Sequence, residues 1–336
     1  MIEARRANWV DTAKGIGILL VVYGHVARGV YAAHLPIDEH TFRVVDDVLY
    51  SFHMPLFFFL SGLFFLKSWN QRGTRAFVSS KLATLVYPYV IWSLLQGFLE
   101  IILSRYTNKH ATLSQVLSLL WHPRQQFWFL YALFFVCLLF AVIYHLRPAQ
   151  RPLVVLGLSL LAYVMSPFVP NIGPFFYLAG FSVFFALGIL LSRDARPFEP
   201  STRLIGPAWV LFAFLHFVVQ RYGAFPQASA SALLSLLIAV LGIAGTCGLS
   251  RLLDRNGDRL FAYLGRRSLP IYLMHTIAAS GVRIVLQKFG HIDLVPVHLI
   301  VGTLAGVLGP LVVLHVIERF RIRGLFTPPT HASSHA

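Results

Sequence analysis

Residues 9–33 read WVDTAKGIGILLVVYGHVARGVYAA. Apolar side chains run from Ile16 to Val30, interrupted only by small or ambivalent residues and by His25 and Arg28. That run is long enough for a bilayer-spanning helix of about 20 residues. Its entrance carries Asp11 and Lys14, and its interior carries the ionisable His25. Such a group inside a membrane is costly and marks a functional candidate, the plain alternative being an imidazole that hydrogen-bonds a neighbouring helix. Lys14 and His25 are eleven residues apart, so on a helix they lie within about 20° of each other and roughly 16 Å apart along the axis. They share a face without touching. That suits one ligand lying along the helix, with an anionic end near Lys14 and a reacting end near His25. Gly15, Gly17 and Gly24 let a neighbouring helix or a substrate approach the backbone.

The remaining chain extends the same pattern. Of 336 residues, 57% are hydrophobic and 12% charged, against about 25% charged in soluble domains, which places the chain in a membrane. Apolar segments fall at 9–33, 47–66, 82–104, 127–145, 152–168, 174–192, 204–220, 230–250, 268–287 and 296–317. The fold expected is therefore all-α, a polytopic integral membrane protein of about ten transmembrane helices. The segments 152–168 and 204–220 are the shortest. With the N-terminus inside, twenty of the 28 lysines and arginines flank the inner ends of these spans, including Arg5, Arg6, Arg147, Arg151, Arg193 and Arg196. The bias predicts both termini in the cytoplasm and accounts for most of the +15 net charge without nucleic acid. Longer loops are expected at 34–46 and 105–126 outside and at 67–81 and 251–267 inside. Residues 1–326 read as one transmembrane domain and 327–336 as a disordered cytoplasmic tail. Cys137 and Cys247 fall inside spans and read as small core residues. The first apolar run lacks a small-residue cleavage site, so it is expected to stay as a span.

Two more histidines fall at comparable depth. His53 lies in the outer part of the second span, before Met54-Pro55, and His275 lies near the middle of the ninth. His53 is read equally as repairing a proline kink or as meeting a substrate. Desolvation holds a buried imidazole neutral, the form a general base needs. No carboxylate or cysteine spacing supports a metal site.

Asp11, Lys14-Gly15 and His25, followed by FHMPLFFFLSG at 52–62, resemble the opening of the acyltransferase family 3 membrane proteins, which O-acylate sugars. RGTR at 72–75 resembles the family's paired-arginine element on the cytoplasmic side, and KLATLVYPYVIW at 81–92 its basic start to the third helix. FWFLY at 127–131 resembles its fourth helix and SLPIYLMH at 268–275 its ninth. The resemblance covers nearly the whole chain. Lys14 and Lys81 stand where family members commonly carry arginine, so they offer point charges in place of bidentate forks.

The resemblance implies a multi-pass enzyme of the bacterial inner membrane. It would move an acetyl or similar short acyl group from cytoplasmic acyl-coenzyme A to a hydroxyl of an envelope or exported carbohydrate, free or lipid-linked. Direct attack on the thioester needs a base but no protein nucleophile, and His25 is the natural base, with Asp11 and Lys14 beside its path. Ser61 lacks the frame of a nucleophile elbow and reads with Gly62 as close helix packing. Arg72 and Arg75, three apart on an expected helical turn, point the same way and grip the donor's phosphates, with Lys14 and Lys81 adding charge. His53, Glu100, Trp128, Tyr131 and His275 are the residues expected to meet the acceptor. Asp46 and Asp47 are further outer candidates. Glu100 reads alternatively as orienting a histidine, and Asp11 as pairing with Lys14. A carbohydrate or small-anion transporter on the same scaffold is the rival class; it predicts flux without consumption of acyl-coenzyme A, and neither paired half-helices nor inverted repeats stand out in its favour.

Overall fold

The computed structural model describes residues 8–102, 112–146, 152–171, 173–192, 198–223 and 228–329. Arg5, Arg6, Arg147, Arg151, Arg193 and Arg196, and residues 330–336 of the expected tail, lie outside the described residues. In chain order the helices are α1 Asn8–Ala32, α2 Glu39–Tyr50, α3 His53–Leu63, α4 Phe65–Lys81, α5 Tyr87–Ile102, α6 Leu113–Leu117 and α7 Trp128–Leu146. There follow α8 Pro152–Met165, α9 Gly173–Leu191, α10 Ile205–Tyr222, α11 Ala228–Arg255, α12 Leu260–Arg266, α13 Ser268–Ile284 and α14 Val295–Arg319. No strand occurs among the described residues.

Among the described residues, nine helical stretches are long and apolar enough to cross a membrane. The expected span at 204–220 is among them, as Thr202–Tyr222. The segment at 152–168 is apolar but shorter, because the chain turns at Ser166-Pro167, and it packs along α9. The chain is thus an all-α polytopic membrane protein. Large apolar side chains such as Phe168, Val210, Phe217, Ile300 and Val312 face outward, as a lipid-facing surface requires.

Three expected loops prove helical. Asp38 caps α2, its carboxylate accepting from the Thr41 N–H at 2.7 Å, so the helix starts eight residues before the apolar run at 47. Residues 251–267 continue α11 and form α12, whose first turn is capped by Asp258 accepting from the Phe261 and Ala262 amides. Residues 67–81 form a helical hairpin. Gly73 adopts φ 70° and ψ 166°, outside helical space, and the chain folds back there. Phe65 and Phe77 stack edge to face at 5.3 Å, and Arg72 donates to Ser80 at 2.6 Å. Such separations are unreachable along a straight helix with a rise of about 1.5 Å per residue. Arg72 and Arg75 therefore do not share a helical turn as expected; they flank the hairpin tip.

At the centre runs α1, touching α2, α3, α11, α12, α13 and α14. Its small residues set the spacing. A Cβ on Gly15 would lie 1.9 Å from the Phe261 carbonyl oxygen, and one on Gly265 would lie 1.7 Å from the Asp11 carbonyl oxygen. The two backbones touch, and α12 is pressed flat on the start of α1. Gly62 and Gly188 interlock α3 with α9 in the same way, at 2.1 and 2.3 Å from opposing carbonyls. Ser61 beside them donates to Phe57 O at 2.8 Å, consistent with a packing role.

A methyl at Gly265 has only backbone to meet. Gly265→Ala is expected to destabilise the protein by about 1–3 kcal/mol through overpacking. Thermal unfolding in nanodiscs checks this against Gly281→Ala, whose new methyl meets nothing within 4 Å and which gains helix propensity. Equal unfolding temperatures for the two variants would show that α1 and α12 are not held by this contact.

Candidate functional site

Three helices carry histidines to one place beside a tyrosine. His25 on α1 and His275 on α13 have ring centroids 5.0 Å apart. Tyr50, the last residue of α2, lies 6.4 Å from His25 and 4.6 Å from His53. The break at Ser51-Phe52 between α2 and α3 creates this juxtaposition. It leaves the Leu49 carbonyl without its helical amide, and His53 Nδ1 closes on that oxygen at 2.5 Å. His53 thus bridges the break between α2 and α3 at the Leu49 carbonyl, and not at Ser51 O, the carbonyl that Pro55 leaves without an amide.

The same hydrogen bonds fix the tautomers. A carbonyl only accepts, so the ring nitrogen must donate. His53 carries its proton on Nδ1, and His275 does likewise, with Nδ1 bonded to Tyr272 O at 2.8 Å and Ile271 O at 3.1 Å. In each neutral ring Nε2 keeps the lone pair. His275 Nε2 is buried and meets no hydrogen-bond partner among the described residues.

Tyr50 carries no family-like motif and belongs to the site by position. Its hydroxyl is buried without a partner among the described residues and sits against α1, 3.3 Å from where a Gly24 Cβ would stand. Arg28 covers the ring, its guanidinium carbon 3.2 Å from the centroid. Asp46 holds Arg28 in a bidentate pair at 2.6 and 2.7 Å. The cation is fixed by the carboxylate and in turn fixes the ring. The sequence signal was the spacing of Asp46 and Tyr50, four apart on one helical face, but a tyrosine near a membrane boundary also reads as an interface anchor.

A buried amide network stands on the far side of α13. Gln126 donates to Gln96 at 2.8 Å and to Thr276 at 2.9 Å, and Thr276 donates to Gln96 at 2.9 Å. The Tyr272 hydroxyl donates to Gln126 O. Glu100 terminates this network, accepting from Arg124 at 2.9 Å and from Gln125. Its hydrogen-bond partners among the described residues include no histidine; it ties residues 124–126 to α5, and the chain of amides reaches α13 at Thr276, next to His275.

The other expected residues divide into two groups. Trp128 stacks on Tyr177 at 5.4 Å and borders a cavity of about 580 Å³ that Tyr50 also lines. Tyr131 is buried among Tyr89 and Tyr177, at 5.8 and 6.1 Å. At the opposite end of α1, Lys14 Nζ lies 3.9 Å from the buried Asp11, and Thr12 donates to Asp258 at 3.2 Å. Lys81 is half-buried over the Phe77 ring at 5.2 Å. Arg72 and Arg75 are exposed.

His216 on α10 went unnoticed in the sequence. It is buried, and its Nε2 lies 3.2 Å from the Ser51 hydroxyl, at the break beside Tyr50. Its position depends on how α10 meets that break.

The family model described as an acyltransferase domain matches residues 7–315. No curated protein and no solved structure matches.

Proposed function

The chain belongs to the acyltransferase 3 family and is a membrane acyltransferase, and from that premise we propose that it moves an acetyl or similar short acyl group from acyl-coenzyme A to a carbohydrate hydroxyl. The observation that carries the reading is the 5.0 Å pairing of His25 with His275 inside a multi-pass bundle. His25 takes the proton of the acceptor hydroxyl as that oxygen attacks the thioester carbonyl. The tetrahedral oxyanion collapses, the carbon–sulfur bond breaks, and the leaving thiolate takes the proton back from His25. The Tyr50 hydroxyl is the donor nearest to hand for the oxyanion. His275, its Nδ1 engaged by backbone, presents Nε2 as an acceptor that can orient His25.

The reading also places the protein in the bacterial inner membrane with both termini in the cytoplasm, as the distribution of lysine and arginine supports. Acyl-coenzyme A then enters at the Lys14 end of α1, where Arg72, Arg75 and Lys81 add positive charge, and the acceptor, an envelope or exported glycan, arrives from the other end. Acceptor-dependent release of free thiol from acetyl-coenzyme A, by purified protein with an envelope-glycan extract, tests the proposal. Glycan binding or flux with no donor consumed, across several acyl donors, would replace it with the transporter reading.

The hairpin tip gives a separate expectation. Replacing Arg72 and Arg75 together by alanine should raise the KM for acyl-coenzyme A by about threefold to tenfold and leave kcat nearly unchanged. Exposed phosphate contacts hold ground and transition states alike and are individually weak. A fall in kcat at unchanged KM would remove these residues from donor binding.

A further inference from the structure

The cavity of about 580 Å³ lies among α2, α3, α7, α8, α9, α10 and α11, and its polar lining is concentrated at one end. Asp47 precedes Met54 and Pro55 along the α2–α3 pair, and Ser231 precedes Ile238 along α11. On α9 the order runs from Phe176 to Phe184, and on α10, which runs the other way, Gln220 follows His216. Adjacent antiparallel helices thus put Asp47, Gln220, Ser166 and Ser231 around one end and Met54, Phe184, Leu234 and Ile238 at the other, where Tyr163 and Ser235 are the polar exceptions. The polar end is braced. Gln220 donates to Asp47 at 3.2 Å, and His216 meets Ser51 at 3.2 Å. A second cavity of about 600 Å³, beside α8, has only Ser159 and Ser182 as polar lining and lacks such a rim.

We propose that the first cavity is the acceptor site and that its acceptor is amphipathic, a hydroxyl-rich head joined to an apolar chain. The role as acceptor rests on the acyltransferase reading, whereas the ligand class rests on the lining. A sugar head has carboxylate, amide and imidazole groups to bond at the rim, with Trp128 as an aromatic wall. The apolar chain displaces nothing polar when it lies against Phe181, Phe184, Leu234 and Ile238, and each methylene buried there is worth about 0.8 kcal/mol. Tyr50 is the shared wall. It lines the cavity on one side and contacts His25 and His53 on the other, so a head group at the rim has its hydroxyl next to the base. A free, fully polar sugar would meet only Tyr163 and Ser235 as polar partners in the inner half of the cavity.

Gly180 offers a clean probe, because it lines the cavity and a Cβ there would meet nothing within 4 Å. Gly180→Leu extends an apolar side chain into that space. The experiment measures binding of radiolabelled octyl glucoside, octyl galactoside and octyl N-acetylglucosaminide to the full chain in nanodiscs, below their micelle concentrations and without donor. At least one octyl glycoside should bind saturably, at least about tenfold more tightly than its free sugar or than octyl phosphocholine, and Gly180→Leu should weaken it at least about tenfold. Ser235→Phe, on the α11 wall, is the second variant should Gly180→Leu fail to fold. Equal displacement by octyl phosphocholine would make the cavity a lipid-chain pocket and overturn the proposal, as would binding unchanged in both variants or no saturable glycoside binding. Glycoside binding that is lost in the variants, in a protein that never consumes acyl-coenzyme A, would sink the enzymatic reading and leave the site standing.

Discussion

His25→Ala is expected to lower kcat for acceptor acylation by about 10²–10⁴-fold, the range that a positioned general base supplies, while the KM for acyl-coenzyme A stays within about twofold. The split follows from geometry. Lys14, where the proposed donor's phosphate end would sit, lies roughly 16 Å along the helix from His25, so deleting the imidazole should remove nothing that holds the nucleotide. The deletion is also structurally mild, since His25 is only partly buried and, among the described residues, makes no side-chain hydrogen bond that holds a helix, unlike His53, whose Nδ1 closes on Leu49 O. Thiol release from acetyl-coenzyme A by wild type and variant, at saturating donor and with unfolding temperatures matched, gives the answer. Turnover that survives in the folded variant would move the base to His275, whose unpartnered Nε2 is the next lone pair at the site.

The spans were legible because their signal is local. A run such as Trp128–Leu146 is apolar on every face and reads as membrane-spanning without knowledge of its neighbours. Residues 39–46 and 251–267 were less readable for the opposite reason. Their charges suppress the hydropathy signal, and their helicity comes from caps at Asp38 and Asp258 and from packing on α1. Gly73 within RGTR was a visible turn signal, a glycine flanked by polar residues, but the spacing of the paired arginines drew the reading of this loop toward one helical turn at 72–75. At the site, matching of depth sufficed to bring His25 and His275 together, since each helix starts at a charged end, Asp11 and Lys14 on α1 and Arg266 and Arg267 before α13. Tyr50 and His216 escaped because their places depend on the break at Ser51-Phe52 and on the docking of α10. Glu100 was legible as a buried-side carboxylate, yet its partners, Arg124 and Gln125, come from a connecting segment whose path no periodicity encodes.

Tyr50→Phe is expected to reduce kcat by about 10²-fold, the lower end of what removing one oxyanion donor costs, and to change neither KM by more than about twofold. The phenylalanine ring keeps every packing contact, because Arg28 and Asp46 hold the ring face and not the hydroxyl. The buried hydroxyl has no partner to abandon among the described residues, so folding should be unaffected or slightly improved. An oxyanion donor and a merely structural tyrosine are then separated by a second substitution. Gly24→Ala puts a methyl 3.1 Å from the Tyr50 ring edge and 3.3 Å from its oxygen. Either is tighter than comfortable contact, so the ring must give by a few tenths of an ångström while the hydroxyl remains. If the hydroxyl is aimed at developing charge, this displacement should lower kcat measurably in Gly24→Ala, and adding Tyr50→Phe to it should cost less than Tyr50→Phe does alone, because the donor is already misplaced. Fully additive losses in the double variant, or a Tyr50→Phe enzyme with wild-type kcat, would leave the oxyanion to another donor.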